Sequence, residues 1–542
     1  MKQDDSRLRE SFRNFDQPVA VPRRLINALH SPEAEMSAST QTRTVFLAAA
    51  MVLLVISGAL FSLRFVRSEK PADQSIQAFT SLPPTETSGS PVALSTPQIE
   101  NAVMFGGTAA QNGSYPGIAP NLESLTKLWS ADDAMAGTAF FFGDALYVQQ
   151  YADHTYQGLS LLTAYEATTG TIRWQTEISL SVRFAVNNLG VYAAQATTDS
   201  SSYQLVQLDL ATGQVRWQSA PIAAVNSPDE SNGWLLLSGD TLVASLGNHT
   251  LTAYDTGNGA VRWRHTPDQP TDLNCQMLDC SSHLAIGNGA VYQFSLLNNR
   301  LIAYDLFTGA ERWQVAILSD EQMTDAVNTS ATLTAHASDQ ESFNTADLPF
   351  FTFFQLAATE YGPLLIEERP DQITNPNQIR LYDGMTGVAL WTHEGNNNFV
   401  FPAVLLPHAI LSLTGNPGDS SSVVISPIDL VSGVVGASQS IPANNIQFLA
   451  NMISLPQSGV MITGTNSAGD DSSFLQRLPV IGSLFGAPDT KATLRILDPV
   501  TLDELGSITF TNCYVTATFS DDGKVVCIDT DGTGFSVYGS AP

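Results

Sequence analysis

Thiols, imidazoles and carboxylates are the side chains from which most active sites are built, and in this chain they are sparse or evenly spaced. The four cysteines, Cys275, Cys280, Cys513 and Cys527, all follow the apolar N-terminal segment. An even count placed there is compatible with two disulfides in an oxidising compartment. Cys275 and Cys280 share one loop and are the easier pair to join. Cys513 and Cys527 flank a hairpin whose Asp522-Gly523 turn does not set them directly opposite, so that pair needs a bulge. The eight histidines are scattered, and no H-E-x-x-H, G-x-S-x-G, P-loop or G-x-G-x-x-G pattern occurs. Asp529, Asp531 and Gly532 in DTDGTG begin like a calcium loop but lack the remaining ligand positions, which makes them turn residues. No catalytic residue, metal site or cofactor is expected from these groups.

The carboxylates that recur do so at a fixed offset. LTAYEATTGTIRWQ, LVQLDLATGQVRWQ, LTAYDTGNGAVRWRH, LIAYDLFTGAERWQ and IRLYDGMTGVALWTH align without gaps. Glu166 and Trp174, Asp209 and Trp217, Asp255 and Trp263, Asp305 and Trp313, and Asp383 and Trp391 are each eight residues apart. These acids invite a carboxylate-ring reading, but a position just before a hairpin glycine gives them a turn role instead. Gly170, Gly213, Gly259, Gly309 and Gly387 supply the positive φ that the turn requires. The returning strand carries the tryptophan, which buries ~150–250 Å² against the next unit, or ~4–6 kcal/mol before entropy is counted.

The elements that position these residues are therefore strand–turn–strand units. Weaker copies follow at Asp429 with Gly433 and at Asp498 with Thr501, both lacking the tryptophan. A second hairpin precedes each unit, as in GDALYVQQ and GNGAVYQF, so each repeat holds four short strands. Successive acids are spaced 43, 46, 50, 78, 46 and 69 residues apart, close to the ~40–50 of propeller blades where no insertion intervenes. The C-terminal NCYVTATFSDDGKVVCIDTDGTGFSVYG offers three strands, and LTKLWSA around Trp129 offers a fourth with its own tryptophan. The expected fold is an all-β, eight-bladed propeller, with seven blades as the alternative, closed by joining its first and last strands.

The A-Y-D-x-x-T-G-x-x-x-W pattern, seen from Ala303 to Trp313 and, with Asn for Thr, from Ala253 to Trp263, resembles the pyrroloquinoline-quinone-type (PQQ-like) repeat of BamB-like and quinoprotein-like propellers. The resemblance covers roughly residues 124–540. Its enzymatic members imply a quinone cofactor over adjacent cysteines, with calcium ligands and an aspartate base. No two cysteines here are adjacent. Its non-catalytic members imply a scaffold of the cell envelope; the envelope scaffold BamB is a lipoprotein, whereas this chain has no cysteine before Cys275.

Composition and ends place the propeller in its setting. With 24 Lys+Arg against 52 Asp+Glu the formal charge is −28, which opposes phosphate backbones and excludes nucleic acid as an expected partner. From Thr44 to Leu63 the chain carries no charge, and twenty helical residues match the ~30 Å hydrocarbon core. The expected organisation is a cytoplasmic tail (1–43), a transmembrane signal-anchor helix (44–66), a flexible Pro/Ser/Gly-rich stalk (67–123) and a propeller (124–540). Arginines at positions 7, 9, 13, 23, 24 and 43 put the tail inside and the propeller on the extracytoplasmic side of the cytoplasmic membrane. Two insertions stand out: the polar, acidic Ser319 to Leu348, and an apolar stretch within 473–488, FLQRLPVIGSLFGAP, available to a partner or to packing on the ring. The leading functional expectation is a non-enzymatic scaffold for protein or envelope partners. A transmembrane sensor signalling through the tail, in which VPRRLINALH could form a short helix, and a PQQ-dependent oxidoreductase are the alternatives.

Overall fold

A computed structural model describes residues 102–104, 108–111 and most of 117–540. Residues 1–101, the connections 152–158, 180–183, 224–232, 267–282, 325–352, 369–376, 396–403, 443–447 and 468–489, and several shorter stretches lie outside the described residues. Residues 81–542 form one compact unit. The expected tail and signal-anchor therefore fall outside the described residues, and among those residues no helix is long and apolar enough to cross a membrane.

Among the described residues the chain is almost entirely β, arranged as eight antiparallel sheets. Sheet I starts at Ala136–Phe142 and ends at Ile172–Ser179; sheet II runs from Ala185–Asn187 to Val215–Gln218, with Ile222–Ala223 added. Sheets III, IV and V run from Trp234–Ser238 to Val261–His265, from His283–Gly287 to Glu311–Ala316, and from Phe353–Ala358 to Ala389–Gly395. Sheet VI has three strands, Ala409–Asn416, Asp419–Asp429 and Gln439–Pro442. Its expected first strand is reduced to a single bridge between Leu405 and Ile410. Sheet VII runs from Phe448–Leu455 to Glu504–Thr511.

Sheet VIII is the composite expected from the ends. Cys513–Phe519, Val525–Asp529 and Gly534–Ser540 are completed by Leu125–Asp132, which pairs with the last C-terminal strand from Leu125 opposite Ser540 to Asp132 opposite Gly534. The sheet packs against both sheet VII and sheet I, so the two ends of the sequence are joined by a hydrogen-bonded ladder. Cys513 and Cys527 form a disulfide within it, with Cα atoms 5.5 Å apart. Cys513 faces Asp529 and Cys527 faces Val515, so the two are diagonal, and the ladder shifts register between Val515 and Phe519 as the pairing requires. Cys275 and Cys280, the pair expected to join more easily, lie outside the described residues.

Residues 102–104 and 108–111 lie within the stalk expected over 67–123 but are built into the sheets. Ala102–Met104 pairs with the first strand of sheet II, and Met104 is fully buried. Its sulfur accepts a hydrogen bond from the Leu237 amide of sheet III at 3.4 Å. The carbonyls of Ala109 and Ala110 accept from Ile286 of sheet IV and Ala358 of sheet V, each at 2.7 Å. This strap ties together the first strands of four consecutive sheets. Its alanines and methionine are small or pliable enough to lie between converging backbones, a property that Gly- and Ser-rich composition obscures.

Strand alternation fixes two sides of the array. The turns between first and second, and between third and fourth, strands share one side, here the turn side. The connections between second and third strands, and from one sheet to the next, begin and end on the other. Every connection of seven or more residues outside the described set, including 267–282, 325–352 and 468–489, belongs to that loop side.

Candidate binding face

Four of the third-to-fourth-strand turns share one full pattern of hydrogen bonds. Asp209 Oδ1 accepts from the amides of Ala211 and Thr212 and from the Thr212 hydroxyl at 2.9–3.0 Å. Asp305, Asp383 and Asp429 repeat the arrangement, and Asp498 does so through two amides. Asp255 accepts from the Gly257 amide, so the aspartates singled out from the sequence cap their turns, whereas the Glu166 carboxylate accepts from Arg173. Gly213, Gly259, Gly309 and Gly387 sit at φ between +66° and +72°.

The tryptophans use that glycine as a seat. Trp129, Trp174, Trp217, Trp263, Trp313 and Trp391 each lie over the turn glycine of the following sheet: Gly170, Gly213, Gly259, Gly309, Gly387 and Gly433. Each indole N–H donates to a carbonyl of the same turn at 2.8–3.0 Å. Glycine is needed twice over, for its left-handed backbone and because a Cβ would meet the indole at 2.5–2.8 Å. The tryptophans of sheets I–IV are buried, whereas Trp129 and Trp391 are half-buried.

Where the tryptophan is missing, the filling residue moves into the turn. Gly506 occupies the tryptophan position of sheet VII, and Leu122 packs 3.0 Å from where its Cβ would be. Leu122 belongs to a turn in which the Asn121 side chain accepts from the Glu123 amide at 3.2 Å. Asn121 therefore does for sheet VIII what the aspartates do elsewhere. Leu502 takes the glycine position of sheet VII, with φ +61° and a buried side chain.

Sequence reasoning missed the arginine one residue before the tryptophan, legible as the repeated I-R-W, V-R-W and E-R-W. In sheets I–IV it closes a clamp across the turn side. Arg173 joins Glu166 to Asp144 of the neighbouring turn at 2.5 and 2.7 Å, and Arg262 joins Asp255 to Asp240 at 2.7 Å each. Arg216 and Arg312 pair with Asp209 and Asp305 and donate to carbonyls of the first turn. The guanidinium hydrogen bonds bring the carboxyls of Asp209 and Asp305 down to about 2. Arg262 likewise lowers Asp240 and Asp255, and Arg173 lowers Asp144.

Sheets V–VII break this pattern. The arginine position holds Leu390, Gly436 and Leu505, and among the described residues no arginine or lysine pairs with Asp383, Asp429 or Asp498. The turn tips become apolar one sheet earlier. Thr168, Ala211 and Gly257 in sheets I–III give way to Phe307, Met385, Val431 and Val500 in sheets IV–VII, all about half exposed or more. Val388 and Val434 add to the same rim.

Residues 120–342 match the family model described as outer membrane protein assembly factor BamB. That stretch is thus similar to the PQQ-like repeat. Among solved structures, BamB from Moraxella catarrhalis is 13% identical, with 77% of this chain and 99% of that chain covered at a TM-score of 0.39. The computationally designed Ika8 protein is 14% identical over 76% of this chain and 98% of its own, with a TM-score of 0.38. A quinohemoprotein alcohol dehydrogenase from Pseudomonas putida HK5 is 13% identical over 80% and 72%, with a TM-score of 0.33. No curated protein matches the sequence.

The quinone site that the repeat implies in its enzymatic members does not fit the residues described in this propeller. Cys513 and Cys527 are bonded across two strands and buried, and the strap lies along the first strands where the sheets converge. Among the described residues no three His, Cys, Asp or Glu side chains are grouped to hold a metal ion.

Proposed function

We propose that the chain is an eight-bladed, membrane-anchored propeller on the extracytoplasmic side of the cytoplasmic membrane, serving as a non-enzymatic scaffold for protein or envelope partners. The observation that carries this reading is the strap. Residues 102–104, Ala109 and Ala110 bind to the first strands of sheets II–V, so the convergence of the sheets holds protein. Binding capacity then resides on the two sides of the ring. The Cys513–Cys527 disulfide supports an oxidising compartment, and the charge-free run from Thr44 to Leu63 supports the anchor. Photo-cross-linkers placed on both sides of the ring in native membranes test the reading. Capture of a defined protein is expected, and turnover of substrate by the purified full-length chain would overturn it.

A sensor is favoured by one specific observation: the strap is the part of the propeller nearest in sequence to the expected anchor, and it touches four sheets. A signal carried this way requires the tail, so deletion of residues 1–40 should abolish the response. Full activity without them contradicts this second reading.

A further inference from the structure

The turn side is two surfaces in one ring. Over sheets I–IV each turn acid is neutralised by its arginine, and three of the four tips are small or polar, although Ile172, Val215 and Val261 are exposed beside the turns of sheets I–III. Over sheets V–VII the acid keeps its turn hydrogen bonds through Oδ1, while Oδ2 faces no arginine or lysine among the described residues. The Ser432 hydroxyl and amide hold the Asp429 carboxyl below the usual carboxylate range, and His408 adds a smaller electrostatic share. Beside each of these carboxylates stands an exposed apolar tip, Met385 (57% exposed), Val431 (48%) or Val500 (88%), with Phe307 (57%) beginning the series on sheet IV. The repeat shows that threonine, alanine or glycine also occupies this turn position. The tip is apolar over four consecutive sheets, and the arginine is replaced over the last three of them.

We infer that this arc is a docking surface for a cationic, amphipathic helix of a second protein. The inference rests on the scaffold reading and names its surface and the chemistry of its partner. Charge decides the class of occupant. Three carboxylates without a paired cation, in a chain of formal charge −28, repel both a second copy and an anionic membrane surface, and they attract lysine and arginine. Spacing decides the form. Packed sheets stand ~10 Å apart, which an α-helix covers in about seven residues at 1.5 Å each. One apolar residue per two turns, flanked by cations, would meet one tip and one carboxylate per sheet, and roughly 20 residues would cross the arc. This is recognition of a helix by regularly spaced apolar anchors.

The test uses the full-length protein in detergent and a 21-residue Leu/Lys peptide with one apolar face, beside a scrambled peptide of the same composition. Saturable binding that prefers the amphipathic order is expected. Met385→Ser/Val431→Ser/Val500→Ser should weaken it at least tenfold. Asp383→Asn/Asp429→Asn/Asp498→Asn should do the same, because asparagine keeps the Oδ1 acceptor of the turn and removes only the charge. Thr168→Ser/Ala211→Ser, at the matching places on sheets I and II, should leave it unchanged. Equal binding by the scrambled peptide or equal affinities for all variants would overturn the inference. If cross-linkers on the loop side capture a partner while those at Met385, Val431 and Val500 do not, this inference fails and the scaffold reading stands.

Discussion

Replacing Gly259 by alanine puts one methyl group where the structure has least room for it. The residue sits at φ +71°, where a side chain costs about 1–2 kcal/mol. Its Cβ would lie 2.5 Å from Cε3 of Trp217, an indole that is 9% exposed and donates to the Thr256 carbonyl at 2.9 Å. Moving that indole costs about 1–3 kcal/mol more. The sum, about 2–5 kcal/mol, rivals truncation of the indole itself, for which Trp217→Ala should lose ~3–5 kcal/mol. The two effects share a cause, so they should not add. With the indole gone the alanine methyl meets empty space, and the double variant should be more stable than the sum of single losses implies by the clash, about 1–3 kcal/mol. Urea unfolding of the full chain, followed by fluorescence and circular dichroism, measures all three. Additivity within about 0.5 kcal/mol would refute the seat-and-wedge account of how sheets II and III join, as would a loss below about 1 kcal/mol for Gly259→Ala alone.

Other outcomes follow from the same contacts. Asp209 and Asp305 have folded pKa values near 2, below their unfolded values of ~3.9. Their contribution is full above about pH 4 and is lost as pH falls towards 2, so unfolding midpoints should drop across that window. Arg312→Gln should flatten the drop, and an unchanged slope would count against the clamp. Removing the Cys513–Cys527 disulfide by a double serine substitution should cost ~3 kcal/mol for a closed loop of this size, read from denaturant midpoints with and without reductant. Met104→Ala, at a fully buried strap position, should cost ~2–5 kcal/mol and speed proteolysis within residues 102–111. Unchanged proteolysis would mean that the strap is not held by that side chain.

How much of this was legible in the sequence follows from the range of each interaction. The acid, glycine and tryptophan of each unit act within one hairpin or on the next, and their constant interval exposed both the repeat and the joining of the ends around Trp129. The arginine clamp was equally regular, but its meaning depends on Asp144 and Asp240, which lie 29 and 22 residues from their arginines in turns with no fixed offset. The strap was misread as stalk because Ala102–Met104 is too short for a period to show, and its partners are backbone amides on four sheets. Leu122 stands in for a missing tryptophan from a turn rather than a strand, and the position where the interval places that tryptophan holds Gly506. The apolar arc became visible only after the turn tips were aligned by structure. In the linear sequence, Phe307, Met385, Val431 and Val500 are isolated hydrophobic residues tens of positions apart.

Closure of the ring by its two ends can be tested with one pair of residues. Ser124 and Ser540 are 416 positions apart in the chain, and their hydroxyl oxygens are 2.8 Å apart. Oxidation of a Ser124→Cys/Ser540→Cys variant should cross-link nearly every molecule, giving a faster-migrating species on a non-reducing gel that reductant reverses. A variant that stays open under the same oxidation, while remaining folded, would contradict the closed propeller on which the scaffold account stands.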